Sequence, residues 1–578
     1  MLEDLLRPLD PEARQDLGFA PSALPGWWRA IGERISDRLN QHRSRVREAL
    51  DWPVDDTWVD RIAERFGRLP EPAPEVWTAV ALASDDARIF YITQCSDLRA
   101  HEIFRLSLGE LTELMPVDIA SATVAGLMEA WSLARGDDDG VPVGELVLRN
   151  PVVSRPFVRS GDDQWYLFCG WLPFHNPFEL VERVLDGHQR LVAAYLERRA
   201  TFLEERVASL LERALPQAVV ERSILSTDPA DGREYENDVL VRVSTYALIA
   251  EAKAGRLHAD ARRGRGTGRL LRDGIDDLLV RPSEQAMRLA DRLGAADGPI
   301  QFRRKANGTT FTIDASDVRR TLALAVTIEP IALLLPRLAD VAEAGLSARA
   351  ADALAYNISV TDLELVVDLL DHPSEVLHYL SRRTEIERGA FLGGDEADLL
   401  ALYLQTGFNL GEHEFAGTYE LDVTGLSDPI DIWHYAREAG LPAEKPRSER
   451  TPWWDAVLSR VESRASERWA EIGVTMCNVG PAEQKGFEAA MHELRRAVRA
   501  GDRPVTDMLV FENGPPQRRD VFVGVIAASP DAVERRRHYD GAARAVLAEH
   551  DVRRLVLLAW TPVPTDLPYF ALAAYDAG

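Results

Sequence analysis

Residues 238–253, Asp-Val-Leu-Val-Arg-Val-Ser-Thr-Tyr-Ala-Leu-Ile-Ala-Glu-Ala-Lys, read as two short strands joined by a turn. Asp238 to Val243 is rich in β-branched residues, and Ala247 to Ala250 is an apolar run ending in Glu251-Ala252-Lys253. A two-residue turn at Ser244-Thr245 places Asp238 opposite Glu251 in antiparallel pairing. Ser-Thr is not a preferred hairpin turn, and a three-residue loop would shift the pairing by one, leaving Asp238 near Glu251 but less well aimed. Side chains alternate along a strand, so Glu251 and Lys253 share a face and Ala252 points away. Two carboxylates this close repel unless one takes a proton or a hard cation such as Mg²⁺ binds between them. Lys253 is then placed to orient a water or to stabilise a phosphate oxygen, which is chemistry for cutting a phosphodiester.

The plainer alternative is a surface hairpin whose Glu and Lys make ordinary salt bridges. Its surroundings tell against that. A helix is expected from Gly187 to Leu215, with Leu203, Val207, Leu210 and Ala214 in helical spacing, followed by a strand from Val219 to Leu225 and a polar loop. The order is helix, strand, strand, strand. Lysine is also scarce: of 67 basic residues only Lys253, Lys305, Lys445 and Lys485 are lysines. A compact ammonium is not interchangeable with a guanidinium, and one of the four falls beside the paired acids.

At Asp238, Glu251 and Lys253 the segment resembles the PD-(D/E)xK nuclease superfamily, whose signature is an acid on one strand and (D/E)-x-K on the next. The resemblance covers roughly residues 190 to 330. The stretch Arg233-Glu234-Tyr235-Glu236-Asn237-Asp238 lacks the proline that names the motif, a position that is loose in the superfamily. The resemblance implies an α/β nuclease core with a mixed sheet, one or two Mg²⁺ (or Mn²⁺) ions on Asp238 and Glu251, and a helix carboxylate added by Glu204 or Glu205. It also implies a glutamine near the site, here Gln285, although Leu289 stands where an aromatic or polar partner is usual.

The chain has 578 residues, enough for three or four domains at ~150 residues each. The expected layout is a mainly helical region over 1–140, a hairpin-containing platform over 141–186, the nuclease-like domain over 187–335, a helical domain over 345–465 and an α/β domain over 470–578. Cys95, Cys169 and Cys477 lie too far apart in sequence to suggest a disulfide framework or a zinc knuckle. No basic-then-apolar leader opens the sequence and no stretch approaches 18 apolar residues, so a cytoplasmic protein without membrane attachment is expected. The net charge of −26 argues against a protein that coats nucleic acid with its whole surface. A local basic track suffices for a nuclease, and residues 253–272 carry one: Lys253, Arg256, Arg262, Arg263, Arg265, Arg269 and Arg272 against Asp260 alone. Gly264, Gly266 and Gly268 suggest a mobile loop there, whose arginines grip phosphates as bidentate forks or pair with the acidic surface.

Elsewhere the patterns are structural. Val80 to Ala83 and Ile89 to Ile92 suggest strands around a Ser84-Asp85-Asp86-Ala87 turn, and Val153 to Val158 with Trp165 to Trp171 suggest a hairpin. Pro282 opens a helix, and Ala306-Asn307-Gly308 marks a hairpin leading to a buried strand from Leu322 to Ile328. His372, His378, His413 and His434 lack the i, i+4 spacing of a helical zinc site. The leading expectation is a metal-dependent endodeoxyribonuclease acting on DNA rather than RNA, in restriction of foreign (phage) DNA, with oligomerisation or a protein partner through the flanking domains. The alternatives are a catalytically inactive nuclease fold serving as a scaffold or nucleic-acid-binding module, and an acidic helical adaptor in which the hairpin is incidental.

Overall fold

The computed structural model describes residues 1–134, 136–137, 150–229, 231–257, 268–330, 354–410, 419–501, 507–513, 520–526, 529, 531–549 and 552–576. The chain is multidomain and of mixed α/β type, with helices and mixed sheets. It divides into two compact units, one made of Met1–Arg199 and the other beginning at Ala200 and taking in the remaining described residues.

The first unit is mainly helical, with a small four-stranded sheet from Arg105–Ser107, Ser132–Leu133, Phe157–Gly161 and Gln164–Tyr166. Its tryptophans are packing residues. Trp27, Trp28, Trp58 and Trp131 are fully buried, and the indoles of Trp27 and Trp131 donate to the carbonyls of Leu111 and Leu180, each at 2.9 Å. The hairpin expected after residue 153 forms between Phe157–Gly161 and Gln164–Tyr166. The strands expected at 80–83 and 89–92 are instead parts of helices Pro74–Ala83 and Asp85–Asp97. Ser84 does not turn a hairpin; it caps the second helix by accepting the Ala87 N–H, while Pro74 starts the first.

The second unit is built on a seven-stranded mixed sheet. Its strands are β1 (Val219–Thr227), β2 (Glu234–Val243), β3 (Tyr246–Lys253), β4 (Pro299–Arg304), β5 (Thr310–Asp314), β6 (Arg320–Thr327) and β7 (Tyr356–Ser359), in the order β7-β6-β3-β2-β1-β4-β5. Helix α1 (Gln189–Ala214) precedes it. Between β3 and β6 the chain runs through α2 (Gly268–Ile275), a wide π-turn at Asp276–Val280, α3 (Arg281–Ala295) and the β4–β5 hairpin, and β6 returns parallel to β3. Pro282 has no N–H to offer the preceding turn, and the wider turn just before it lets one helical run continue into the next. Alternation does the packing: Leu240, Ala247, Ile249 and Ala323 lie in one buried cluster with Ala286, Leu289 and Leu293 of α3.

Two expectations are corrected here. The described part of 345–465 is mainly helical, but Tyr356–Ser359 adds a strand to the central sheet, parallel to β6, and Ala390–Gly393 pairs with Tyr419–Asp422. All four residues of Tyr356–Ser359 are buried, and Ser359 at once caps the helix Val360–Leu369, so that strand is too short to show a period of its own. Nor do alternate glycines keep the whole arginine-rich segment irregular: Arg269 and Arg272 lie in α2.

Beyond the sheet come α4 (Trp469–Cys477), α5 (Pro481–Ala500), β8 (Asp507–Asn513), β9 (Asp520–Ile526), α6 (Ala532–Glu549), β10 (Arg554–Trp560) and β11 (Ala571–Asp576). The four strands form a separate sheet in chain order, with β9 and β10 parallel through α6 and both outer pairs antiparallel. This α/β arrangement follows from continuous apolar runs in β9 and β10, which are buried throughout.

Candidate active site

The hairpin turns at Ser244-Thr245, with Val243 opposite Tyr246 and Val239 opposite Ala250. That register brings Asp238 and Glu251 together at the open end. The unfavourable turn sequence is held by tertiary bonds. Ser244 adopts a left-handed backbone (φ +51°), its hydroxyl donates to the Glu467 carbonyl at 2.7 Å, and the Thr245 hydroxyl donates to Glu471 at 2.9 Å. Glu471 is itself buried and paired with Arg468 and Arg554, and Asp576 joins Arg468 to Arg319.

At the open end the ladder stops at Val239, and the Asp238 carboxylate takes over the backbone, accepting the Ala252 N–H at 2.8 Å. β1 is irregular at the same level. Ser223, opposite Asp238, has a φ of +46° and drops out of the β1–β2 pairing. Glu251 is 3% exposed, and its Oε1 accepts the Asn237 amide at 2.6 Å. Burial, then the neighbouring Asp238 charge, push the Glu251 carboxyl well above the usual carboxylate range, against the pull of Asn237 and Lys253. Asp238 is also raised by burial, opposed by the Ala252 N–H and Lys253. The shift at Glu251 favours its protonated form when no cation is present. Lys253, half-buried at the end of β3, faces both acids electrostatically and has no ion pair among the described residues.

Of the two helix carboxylates, Glu204 is the one beside the site. It is half-buried, bonded to the Ser223 hydroxyl, and raised by burial and then by Asp238 and Glu236. Glu205 projects about 100° further round the helix. Gln285 enters through its carbonyl, 3.4 Å from the Asn237 amide, and its side chain makes no hydrogen bond among the described residues. Arg256 and Arg272 are exposed, and Arg269 pairs loosely with Asp273 at 3.6 Å. Arg262, Arg263 and Arg265 lie outside the described residues, as does His413. His372 is bonded to Glu462 and Asp455, and His378 is buried between Tyr403 and Asn478.

Three participants escape the motif reading: Asn237, Ser223, and the Glu236–Lys305 ion pair at 2.7 Å, whose ammonium also feels Glu204 and Asp238. Asn237 carried one signal, a polar amide inside a strand immediately before the motif acid.

The residues suit a hard cation. Two adjacent carboxylates, Asp238 half-buried and Glu251 buried, whose charges oppose each other are a donor set for Mg²⁺, which commonly takes one or two carboxylates and completes its shell with water and substrate phosphate oxygens. Among the described residues no three His, Cys, Asp or Glu side chains converge to hold a metal by themselves. No protein-family model matches the sequence, and no curated protein or solved structure matches it.

Proposed function

We propose that the chain is a metal-dependent nuclease of the PD-(D/E)xK kind, acting on DNA, with Asp238 and Glu251 holding Mg²⁺ and Glu204 standing close behind. The observation that carries this reading is half-buried Asp238 beside buried Glu251 at the open end of the hairpin, with Lys253 two residues beyond Glu251 on the same strand. A bound Mg²⁺ supplies a water of lowered pKa and charge stabilisation at the phosphate. The chain's own groups do the rest. Lys253 hydrogen-bonds and orients the attacking water or a non-bridging phosphate oxygen, and the Ala252 N–H fixes the Asp238 carboxylate. Exposed Arg256 and Arg272 hold the strand by its phosphates. Restriction of foreign DNA is the cellular role that suits such an activity.

The test is incubation of plasmid and linear DNA with the full chain and with Lys253→Met, in Mg²⁺, Mn²⁺ or EDTA. Metal-dependent cleavage reduced by at least ~100-fold in the variant is expected, within the range for a positioned proton-transfer or charge-stabilising group. Folded but inert wild-type protein on DNA and RNA alike would favour the scaffold reading instead.

A further inference from the structure

We infer that Asn237 is a positioning residue that makes Glu251 a one-oxygen ligand and thereby tunes the site to Mg²⁺ over Ca²⁺. The inference rests on the cation-site reading above. Asn237 is 4% exposed, and its amide nitrogen lies 2.6 Å from Glu251 Oε1 and 3.4 Å from the Gln285 carbonyl, so it is pinned between β3 and α3. A donor on Oε1 occupies one of that oxygen's lone pairs and lowers its charge, so Oε2 is the better oxygen to offer an ion. Asp238 is constrained in the same way, because its Oδ2 already accepts the Ala252 N–H at 2.8 Å.

Each acid therefore favours ligation through a single oxygen. Ca²⁺ takes six to eight oxygens and gains from bidentate carboxylates, whereas Mg²⁺ is octahedral, keeps several waters and is content with single oxygens. The amide and the backbone N–H, neither of which touches the ion, set the number of protein oxygens in its shell. Such outer partners commonly change metal affinity by 10–100-fold.

The test uses the full chain, with Mg²⁺ and Ca²⁺ alone as ligands. Calorimetric affinities are measured for wild type and Asn237→Leu, which has similar bulk and no donor. The ratio of Mg²⁺ to Ca²⁺ affinity should fall by roughly 10-fold in the variant. Infrared difference spectra of protein carrying labelled glutamate give a second reading on the wild type itself, which stays decisive if the variant does not fold. The carboxylate band splitting should be that of one-oxygen ligation with Mg²⁺. An unchanged affinity ratio, or two-oxygen splitting in the wild type, overturns the inference while leaving the cation site in place. Absence of binding by either ion to folded wild type overturns both.

Discussion

Glu251→Gln separates a cation site from an ordinary buried acid more sharply than any other exchange. Glutamine preserves the shape, can still accept the Asn237 amide through its oxygen, and has an amide donor to present toward Asp238. What it removes is a carboxyl that burial and Asp238 push well above its ordinary value. A carboxyl raised on folding contributes stability below its unfolded pKa of about 4.3 and loses it as pH rises through the folded value. The metal-free variant should therefore gain on wild type as pH rises, by at least about 1 kcal/mol in mildly alkaline buffer, the lower end for relieving an uncompensated buried group. Metal reverses the order. At a hundred times its dissociation constant, Mg²⁺ or Mn²⁺ stabilises a protein that binds it only when folded by about 2.7 kcal/mol. At roughly 2 °C per kcal/mol for a large unit, this raises the melting temperature by about 5 °C. The variant should show less than about 1 °C. Scanning fluorimetry across pH, with EDTA and then with metal, reads both effects. A variant less stable than wild type at every pH, together with equal metal shifts in the two proteins, would refute the reasoning.

Two further outcomes concern the supporting structure. Asp362, in the helix after β7, is pushed up to about 7 by burial despite a bond from the Ser359 hydroxyl. Its stabilising contribution is thus present at acid pH and lost toward neutrality, up to about 4 kcal/mol at 1.36 kcal/mol per pH unit. Urea melts of Asp362→Asn at about pH 5 and about pH 8 should show a smaller pH difference than wild type, and an equal difference would count against the burial argument. Gly473 in α4 lies against Ser374, where an added Cβ would stand 2.0 Å from Oγ and 2.6 Å from Cβ. Gly473→Ala should cost about 1–3 kcal/mol by overpacking, recovered in part by Ser374→Gly; additive losses in the double variant would argue that the two residues do not meet.

The parts of the fold legible in the sequence were those set by local pattern. The long helix before the sheet, the hairpin at 238–253 with its register, the hairpin at 299–314 and the elements after 480 all follow from periodicity and turn residues within a few positions. Paired acids and a lysine followed directly from that register. The misreadings have one physical cause, a local signal overridden by its setting. Val80 to Ala83 and Ile89 to Ile92 are apolar enough for strands, yet Pro74 and the Ser84 cap start helices, and Val80, Leu82, Ile89 and Phe90 remain exposed on them. β7 is four residues long and is a strand only because β6 lies beside it. Asn237 and Ser223 matter through side-chain contacts across elements, to Glu251 on the next strand and to Glu204 on the preceding helix, which neither residue's own segment encodes.

The hairpin's turn is fastened by residues made long after it. Thr245 is held by Glu471, whose arginine partner Arg554 comes more than 300 residues after the turn, and Asp576 completes the charge network. The backbone N–H groups of Arg319 and Arg320 tie the Thr245 carbonyl earlier, but at ~5–20 residues per second synthesis leaves the hairpin for on the order of tens of seconds without the Glu471 network. An incomplete chain, still on the ribosome, carries Asp238, Glu251 and Lys253 before the side-chain network that fastens their turn exists. The turn is therefore completed by the far end of the network, not by the strands that it joins.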